Sequence, residues 1–207
     1  MTQQTPKPII ALDIDDVVAN TIDAVHLWAN NIAGAKLTKE DYRTNEGDYW
    51  NYYEQVWERH GLSDKLSFSS VLETMTTDQS NIAVVEGARE SIQELKSRYD
   101  FVFITSRPPY HKDATRLWID EHIDPSISVY MAYNPVADRE ARSKGEICAD
   151  LGVSILIDDN VDNCQSAIDY GVDALLFGTY GWNQKAPAHM KRYDSWKAIG
   201  AHLLHEA

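Results

Sequence analysis

The chain has 207 residues, 43% of them hydrophobic and 25% charged, and carries a formal net charge of −13. That length suits one sizeable domain, or a main domain with a small insertion, and buries enough surface to fold without disulfides. The acidic field, with no basic stripe to offset it, argues against a nucleic-acid partner, and no apolar run approaches the roughly 18 residues of a membrane helix. Cys148 and Cys164 have neither metal-ligand spacing nor a paired framework, which predicts plain buried thiols in a reducing compartment. The opening MTQQTPKP is polar and lacks a hydrophobic signal core, so the expected location is the cytoplasm.

The first predicted element is PIIALDI (Pro8 to Ile14), a short apolar run that ends in polar residues. From Thr21 to about Val85 the pattern is helical and loop-like, without a convincing buried strand. Its centre is crowded with Tyr42, Tyr49, Trp50, Tyr52, Tyr53 and Trp57. Trp50, Tyr53 and Trp57 fall at i, i+3 and i+7, the spacing of a helix stripe that packs into a core. After this stretch come a helix over Gly87 to Tyr99, the strand FVFIT (Phe101 to Thr105) and a helix over Lys112 to His122. The strand ISVYMAY (Ile127 to Tyr133), a helix over Lys144 to Leu151 and the strand SILIDD (Ser154 to Asp159) follow. A helix over Val161 to Tyr170, the strand DALLFG (Asp173 to Gly178) and a helix over Ser195 to Leu204 complete the chain. Continuous rather than alternating apolarity marks strands buried on both faces, as in a parallel sheet. Alternating strands and helices predict an α/β fold, a doubly wound, Rossmann-like parallel sheet with helices on both faces. Residues 1–20 and 86–207 would form this core, and 21–85 a small helical cap inserted after the first strand, over the carboxyl ends where open α/β sheets bind ligands.

The informative polar groups all fall at those carboxyl ends. Asp13, Asp15 and Asp16 close the first strand, Thr105, Ser106 and Arg107 the second; Asp158 and Asp159 end SILIDD, and Lys144 opens the helix before it. Three carboxylates within four positions repel one another unless a cation or a proton holds them. Asp13 and Asp15, two apart in an extended segment, project from one face. Together with Asp158 or Asp159 they make an oxygen-rich pocket suited to Mg²⁺. Such a cation would keep Asp13 ionised as a nucleophile and neutralise a phosphoryl oxygen, to which Thr105 could donate a hydroxyl and Lys144 a positive charge. Ser106 is expected to offer its backbone N–H. Arg107 would meet the substrate phosphate or a surface acid. Beside the core packing of the Trp50, Tyr53 and Trp57 stripe stands a second reading, in which one or two of Tyr49, Trp50 and Tyr52 stack on a nucleobase.

In these residues the chain resembles the haloacid dehalogenase-like phosphatases. DIDDVV matches their first motif, with Asp13 and Asp15 at its two aspartates and Val17 at its Thr/Val position. FVFITS matches the second through Thr105, Lys144 the third, and ILIDDN the acidic fourth. The resemblance implies that Asp13 attacks phosphorus to form an aspartyl-phosphate. Asp15 would protonate the leaving oxygen and then activate water. Mg²⁺ would be held by Asp13, the Asp15 carbonyl and an acidic-motif residue, Asp159 before Asp158, the latter being the alternative ligand or a partner for Lys144. Presence of Asp15 sets the chain apart from the dehalogenases themselves. The short cap, the TSRP and IDDN segments and the later GWN (Gly181 to Asn183) look most like the 5′(3′)-deoxyribonucleotidase and 5′-nucleotidase branch. Asp16, however, stands where relatives often have Gly, and Asn20 near a place often acidic. The expected substrate is thus a small-molecule phosphomonoester, a nucleoside monophosphate first and a sugar phosphate second, handled by a monomer or homodimer. A non-catalytic phosphate sensor on the same fold is a further reading. Receiver domains also combine strand-end aspartates, Thr/Ser and Lys around Mg²⁺, but the length, the insertion and the acidic pair after Lys144 argue against one.

Overall fold

A computed structural model describes residues 6–43, 46–77, 79–132 and 142–205. Residues 1–5 of the polar tail and Tyr133, the expected end of the third strand, lie outside them. Among the described residues the strands are β1 (Ile9–Leu12), β2 (Asp100–Thr105), β3 (Ser128–Met131), β4 (Val153–Asp158), β5 (Asp173–Phe177) and β6 (Lys191–Tyr193). The helices are α1 (Thr21–Ala33), α2 (Tyr52–Arg59), α3 (Phe68–Thr77), α4 (Ala88–Leu95), α5 (Lys112–His122), α6 (Lys144–Leu151), α7 (Val161–Asp169) and α8 (Trp196–His205). One parallel sheet runs β3-β2-β1-β4-β5-β6, doubly wound as the alternation of strands and helices predicts.

Side chains alternate between the two faces along the strands as the pleat requires. Ile10, Leu12, Phe101 and Phe103 face a large core shared with Ile92 and Leu95 of α4, Trp118 and Ile119 of α5, and Trp196 and Ile199 of α8. Ala11, Ile104 and Leu156 face the other way, onto Ile147 and Cys148 of α6 and Ala167 of α7. Helices therefore cover both faces, which is why the strands are apolar without interruption. Cys148 and Cys164 are both buried free thiols, and burial pushes the Cys148 thiol up to about 12.

β6 was not expected. Its sequence, Lys-Arg-Tyr, carries no apolar run; it sits at the sheet edge and pairs through its backbone with β5 alone. Gly178, which follows β5, has a φ of 71°, and a Cβ there would come within 2.4 Å of the Tyr180 ring. The chain can therefore fold Tyr180 and its neighbours back over the strand ends only with glycine at that turn.

The stretch between β1 and α4 enters and leaves at one place. Ala19 and Val84 form an antiparallel bridge, Asn20 N–H donates to Ala83 O at 2.8 Å and Val85 N–H to Val18 O at 2.8 Å. Among the described residues from Asn20 to Ala83, all regular elements are helical: α1, α2, α3 and the 3₁₀ turns Lys39–Tyr42 and Tyr49–Asn51. The expected aromatic stripe is shorter than its spacing suggests. Tyr53 and Trp57 lie on α2, and Trp57 is fully buried with its Nε1 donating to Tyr42 Oη at 3.0 Å. Trp50 instead sits in the 3₁₀ turn before that helix and is 64% exposed, because the turn ends the helical register that would bury it. No helix among the described residues is long and apolar enough to cross a membrane.

Candidate active site

The strand order reverses direction beside β1, and the crevice this opens lies at the carboxyl ends of β1, β2 and β4. Asp13 follows β1 directly, its N–H bonded to Ile157 O of β4 at 2.9 Å. The chain then turns tightly: Val18 and Ala19 N–H donate to Ile14 O, and Asp16 N–H to Ala19 O at 2.7 Å. Asp16 carries this turn with a φ of 58°, the left-handed region that Gly, Asn and Asp occupy most readily. Its side chain is used as well, Oδ1 accepting from Ile22 N–H at 2.8 Å and so satisfying a first-turn donor of α1.

α6 brings Lys144 under the strand ends. Ser143 caps the helix by accepting from Glu146 N–H at 3.2 Å. The Lys144 ammonium, 2% exposed in its side chain, lies 2.6 Å from Asp13 Oδ1 and 2.7 Å from Asp158 Oδ2. Asp158 is further bonded by Asn160 N–H at 2.9 Å and Asn163 Nδ2 at 3.1 Å. Burial works against the ammonium, but the two carboxylates outweigh it and raise its pKa above the ordinary lysine value. One oxygen each from Asp13, Asp158 and Asp159 can gather within 4.8 Å of one another, all three residues buried. Burial pushes Asp13 up to about 7 against the opposing pull of Lys144, while burial and neighbouring Asp158 and Asp13 push Asp159 well above the carboxylate range. One lysine does not neutralise this cluster. Asp159 Oδ1 is buried with no hydrogen-bond partner. An oxygen-only, over-acidic pocket with one unsatisfied carboxylate oxygen is the donor set of a hard divalent cation. The residues present fit such an ion.

Asp15 points to a different partner. Arg107 grips it in two bonds, Nε to Oδ2 at 2.9 Å and Nη2 to Oδ1 at 2.7 Å, and Thr21 Oγ1 donates to Oδ1 at 2.5 Å. Burial alone would raise this carboxyl; the guanidinium and the hydroxyl overcome it and hold Asp15 below the usual range. Arg107 is 4% exposed, and its Nη1 also donates to Gln79 Oε1 at 2.5 Å and Thr115 Oγ1 at 3.0 Å. It therefore meets no surface acid, and four of its five N–H donors are committed to protein acceptors. Thr105 is fully buried, its Oγ1 accepting from Arg107 N–H at 3.2 Å. Ser106 lines the cavity above.

That cavity holds about 470 Å³. Asp13, Asp15, Asp16 and Asp159 make its floor, while Tyr49, Trp50, Tyr52 and Tyr53 form one wall and Phe68, Val71, Leu72 and Met75 of α3 another. Trp182 joins floor to wall: it stacks on Tyr180 at 4.7 Å and 5°, meets Tyr52 edge-on at 5.0 Å, and its Nε1 donates to Asp159 Oδ2 at 2.7 Å. All three aromatic candidates, Tyr49, Trp50 and Tyr52, thus border the space above the acids. The sequence singled out neither Thr21, Gln79 and Asn163 nor the α3 wall. Only the GWN segment carried a signal for Trp182, and that signal named no role.

The fold is that of haloacid dehalogenase-superfamily hydrolases. A haloacid dehalogenase-like protein of unknown function from Agrobacterium tumefaciens superposes with a TM-score of 0.62 at 15% identity, covering 97% of this chain and 99% of its own. A hydrolase of that superfamily from Deinococcus radiodurans, solved with phosphate and sodium, gives 0.58 at 15% identity over 98% and 97% of the two chains. The D,D-heptose 1,7-bisphosphate phosphatase of B. bronchiseptica, solved with magnesium and phosphate, gives 0.53 at 14% identity over 97% and 99%. No curated protein sequence matches the chain. Residues 7–205 match the family described as 5′ nucleotidase, deoxy (pyrimidine), cytosolic type C protein (NT5C), and the chain belongs to that family. It is accordingly a phosphoric monoester hydrolase of the nucleotidase kind.

Proposed function

We propose that the protein is a Mg²⁺-dependent 5′-nucleotidase that hydrolyses ribo- or deoxyribonucleoside monophosphates through an aspartyl-phosphate on Asp13. The observation that carries this reading is the buried Asp13–Lys144–Asp158–Asp159 cluster lying beneath a cavity walled by aromatic rings. Asp13, Asp159 and the Asp15 carbonyl would hold the ion, with Asp158 anchoring Lys144 from behind. Mg²⁺, when bound, offsets the repulsion among the carboxylates and neutralises the phosphoryl oxygens.

This chain's own groups do the rest. Lys144 holds Asp13 Oδ1, so Oδ2 is the oxygen left to attack phosphorus. Thr105 turns its hydroxyl proton toward a phosphoryl oxygen while its lone pair takes Arg107 N–H, and the Ser106 N–H supplies a second donor. Asp15, held ionised by Arg107 in the substrate-free protein, takes up a proton as the negative phosphate enters beside it, gives that proton to the departing oxygen and then takes one from water, with Arg107 fixing its orientation. In this reading Arg107 serves Asp15 rather than the substrate phosphate. Residues 21–85 form a cap whose Tyr49, Trp50 and Tyr52 stack on the base and exclude water. The NT5C description and the two buried thiols favour the cytoplasm as its compartment.

The test is phosphate release with Mg²⁺ across ribo- and deoxynucleoside monophosphates and sugar phosphates, beside Asp13→Asn. Nucleotide-selective turnover that vanishes in the variant upholds the proposal. Turnover of sugar phosphates alone keeps the chemistry and removes base stacking.

A further inference from the structure

Gly181–Asn183 contributes no carboxylate, yet it closes on Asp159 from two sides. Trp182 Nε1 donates to Asp159 Oδ2 at 2.7 Å, and Asn183 Nδ2 donates to the main-chain oxygen of the same residue at 2.9 Å. Asn183 is itself locked: Oδ1 accepts from Tyr180 N–H at 2.9 Å and Nδ2 also reaches Phe177 O at 3.2 Å. The indole lies flat on Tyr180, whose hydroxyl donates to the Asp16 carbonyl at 2.7 Å. One oxygen of the Asp159 carboxylate is therefore claimed by a rigid donor, and the other, Oδ1, is the buried oxygen without a partner. Rotation about the Asp159 side chain would exchange the two oxygens only by breaking the indole bond.

We propose that Trp182 is a positioning residue for the divalent cation, its indole N–H fixing the Asp159 carboxylate so that Oδ1 is presented to the ion. The inference rests on the reading that Asp13 and Asp159 hold a cation. Donors that bond the far oxygen of a ligating carboxylate set both its orientation and its basicity, and losing one typically costs about 10–100-fold in metal affinity. Trp182 differs from a packing residue in that its single polar atom is spent on Asp159. Removal of that atom alone separates the two roles.

The experiment is calorimetric titration of Mg²⁺, and of Mn²⁺ followed by the resonance of the free ion, into the purified full chain without substrate. Wild type is compared with Trp182→Phe, with a chain carrying 3-benzothienylalanine at position 182, and with Asp159→Asn. The benzothienyl ring keeps the bicyclic shape and replaces N–H by sulfur, so it tests the bond where Trp182→Phe fails to fold. The expected result is a loss of cation affinity of roughly 10–100-fold in each ring variant that folds, cooperative unfolding in chelator, and kcat restored at saturating Mg²⁺. Wild-type affinity in the ring variants, beside weakened binding in Asp159→Asn, would overturn the role of Trp182 and leave the cation site standing. Wild-type affinity in Asp159→Asn would overturn the cation site and this inference together.

Discussion

At the floor of the cavity Lys144 Nζ lies within 2.7 Å of two carboxylates, and Asp158 is bonded again by Asn160 and Asn163. At the wall Tyr49, Tyr52 and Tyr53 meet Trp182 only through ring edges, at centroid distances of 5.9, 5.0 and 6.3 Å, and Trp50 is 64% exposed. The floor is charged, desolvated and cross-bonded; each member is costly to bury and tolerable only because the others are present. The wall is held mainly by apolar contact and ring geometry, worth about 0.5–1.5 kcal/mol per aromatic pair, with Tyr53 Oη donating to Asp16 Oδ2 of the floor at 3.4 Å. Substitutions in the floor should therefore act on chemistry and folding together, whereas a substitution at the exposed Trp50 of the wall should act on substrate affinity with little effect on the fold.

The contrast is tested most severely at Asp13. Asp13→Asn keeps the shape and removes the nucleophile, and the expected loss in kcat is on the order of 10⁴-fold or more, read as phosphate release. A variant retaining a tenth of wild-type turnover would place the nucleophile elsewhere. Lys144→Met comes next. It strands the Asp13 and Asp158 carboxylates in the interior, and urea unfolding should show a loss of about 3–5 kcal/mol at pH 7.5 without Mg²⁺. Added Mg²⁺ should recover part of it by mass action. On the wall, Trp50→Ala should raise KM for a nucleoside monophosphate roughly 5- to 150-fold, the equivalent of ~1–3 kcal/mol of stacking, with kcat and melting temperature unchanged. A fall in melting temperature there would erase the distinction between the two regions.

The smallest effect is expected beneath the wall at His111, fully buried with Nε2 beside Leu72 O at 3.0 Å. Burial, aided by the nearby Arg107 charge, lowers its pKa below the ordinary 6.5 despite the Leu72 carbonyl. The unfolded chain then binds the proton better, so the His111 contribution is present above pH 6.5 and is lost as pH falls toward the folded value. Unfolding free energies of wild type and His111→Gln should converge between pH 7.5 and 5.5. Parallel curves would mean that folding leaves the pKa of His111 unchanged.

The two regions also differed in how far the sequence revealed them. A strand buried on both faces leaves a continuous apolar run, and its carboxyl end is a definite point on the chain, so Asp13, Thr105, Asp158 and Asp159 could be brought to one crevice from their positions alone. The helix predictions over Lys112–His122 and Lys144–Leu151 coincide with α5 and α6 for a similar reason, apolar periodicity between clear boundaries. The wall was legible only as a concentration of rings. Which ring faces the cavity depends on where the 3₁₀ turn at Tyr49–Asn51 hands over to α2, and a helical-spacing argument carried straight through that junction misplaced Trp50. The Arg107–Asp15 grip joins residues 92 apart, and the Trp182–Asp159 bond is made by a segment with no charge of its own. Neither contact leaves a periodic trace. β6 was missed because an edge strand of three polar residues is specified by its neighbour's backbone rather than by its side chains.

The neck at Ala19 and Val84 bears on the order of assembly. Ile9 of β1 pairs with Asp100 of β2, a closure that spans about ninety residues when the chain is fully open. Once the bridge between Ala19 and Val84 has formed, the same closure spans fewer than about thirty. Loop entropy grows with the logarithm of length, so the bridge lowers the cost of joining β1 to β2 by about 1 kcal/mol. A helical stretch that fastens its own ends first thus speeds the central pairing of the sheet, and chains in which the neck is weakened should fold more slowly while unfolding at nearly the native rate.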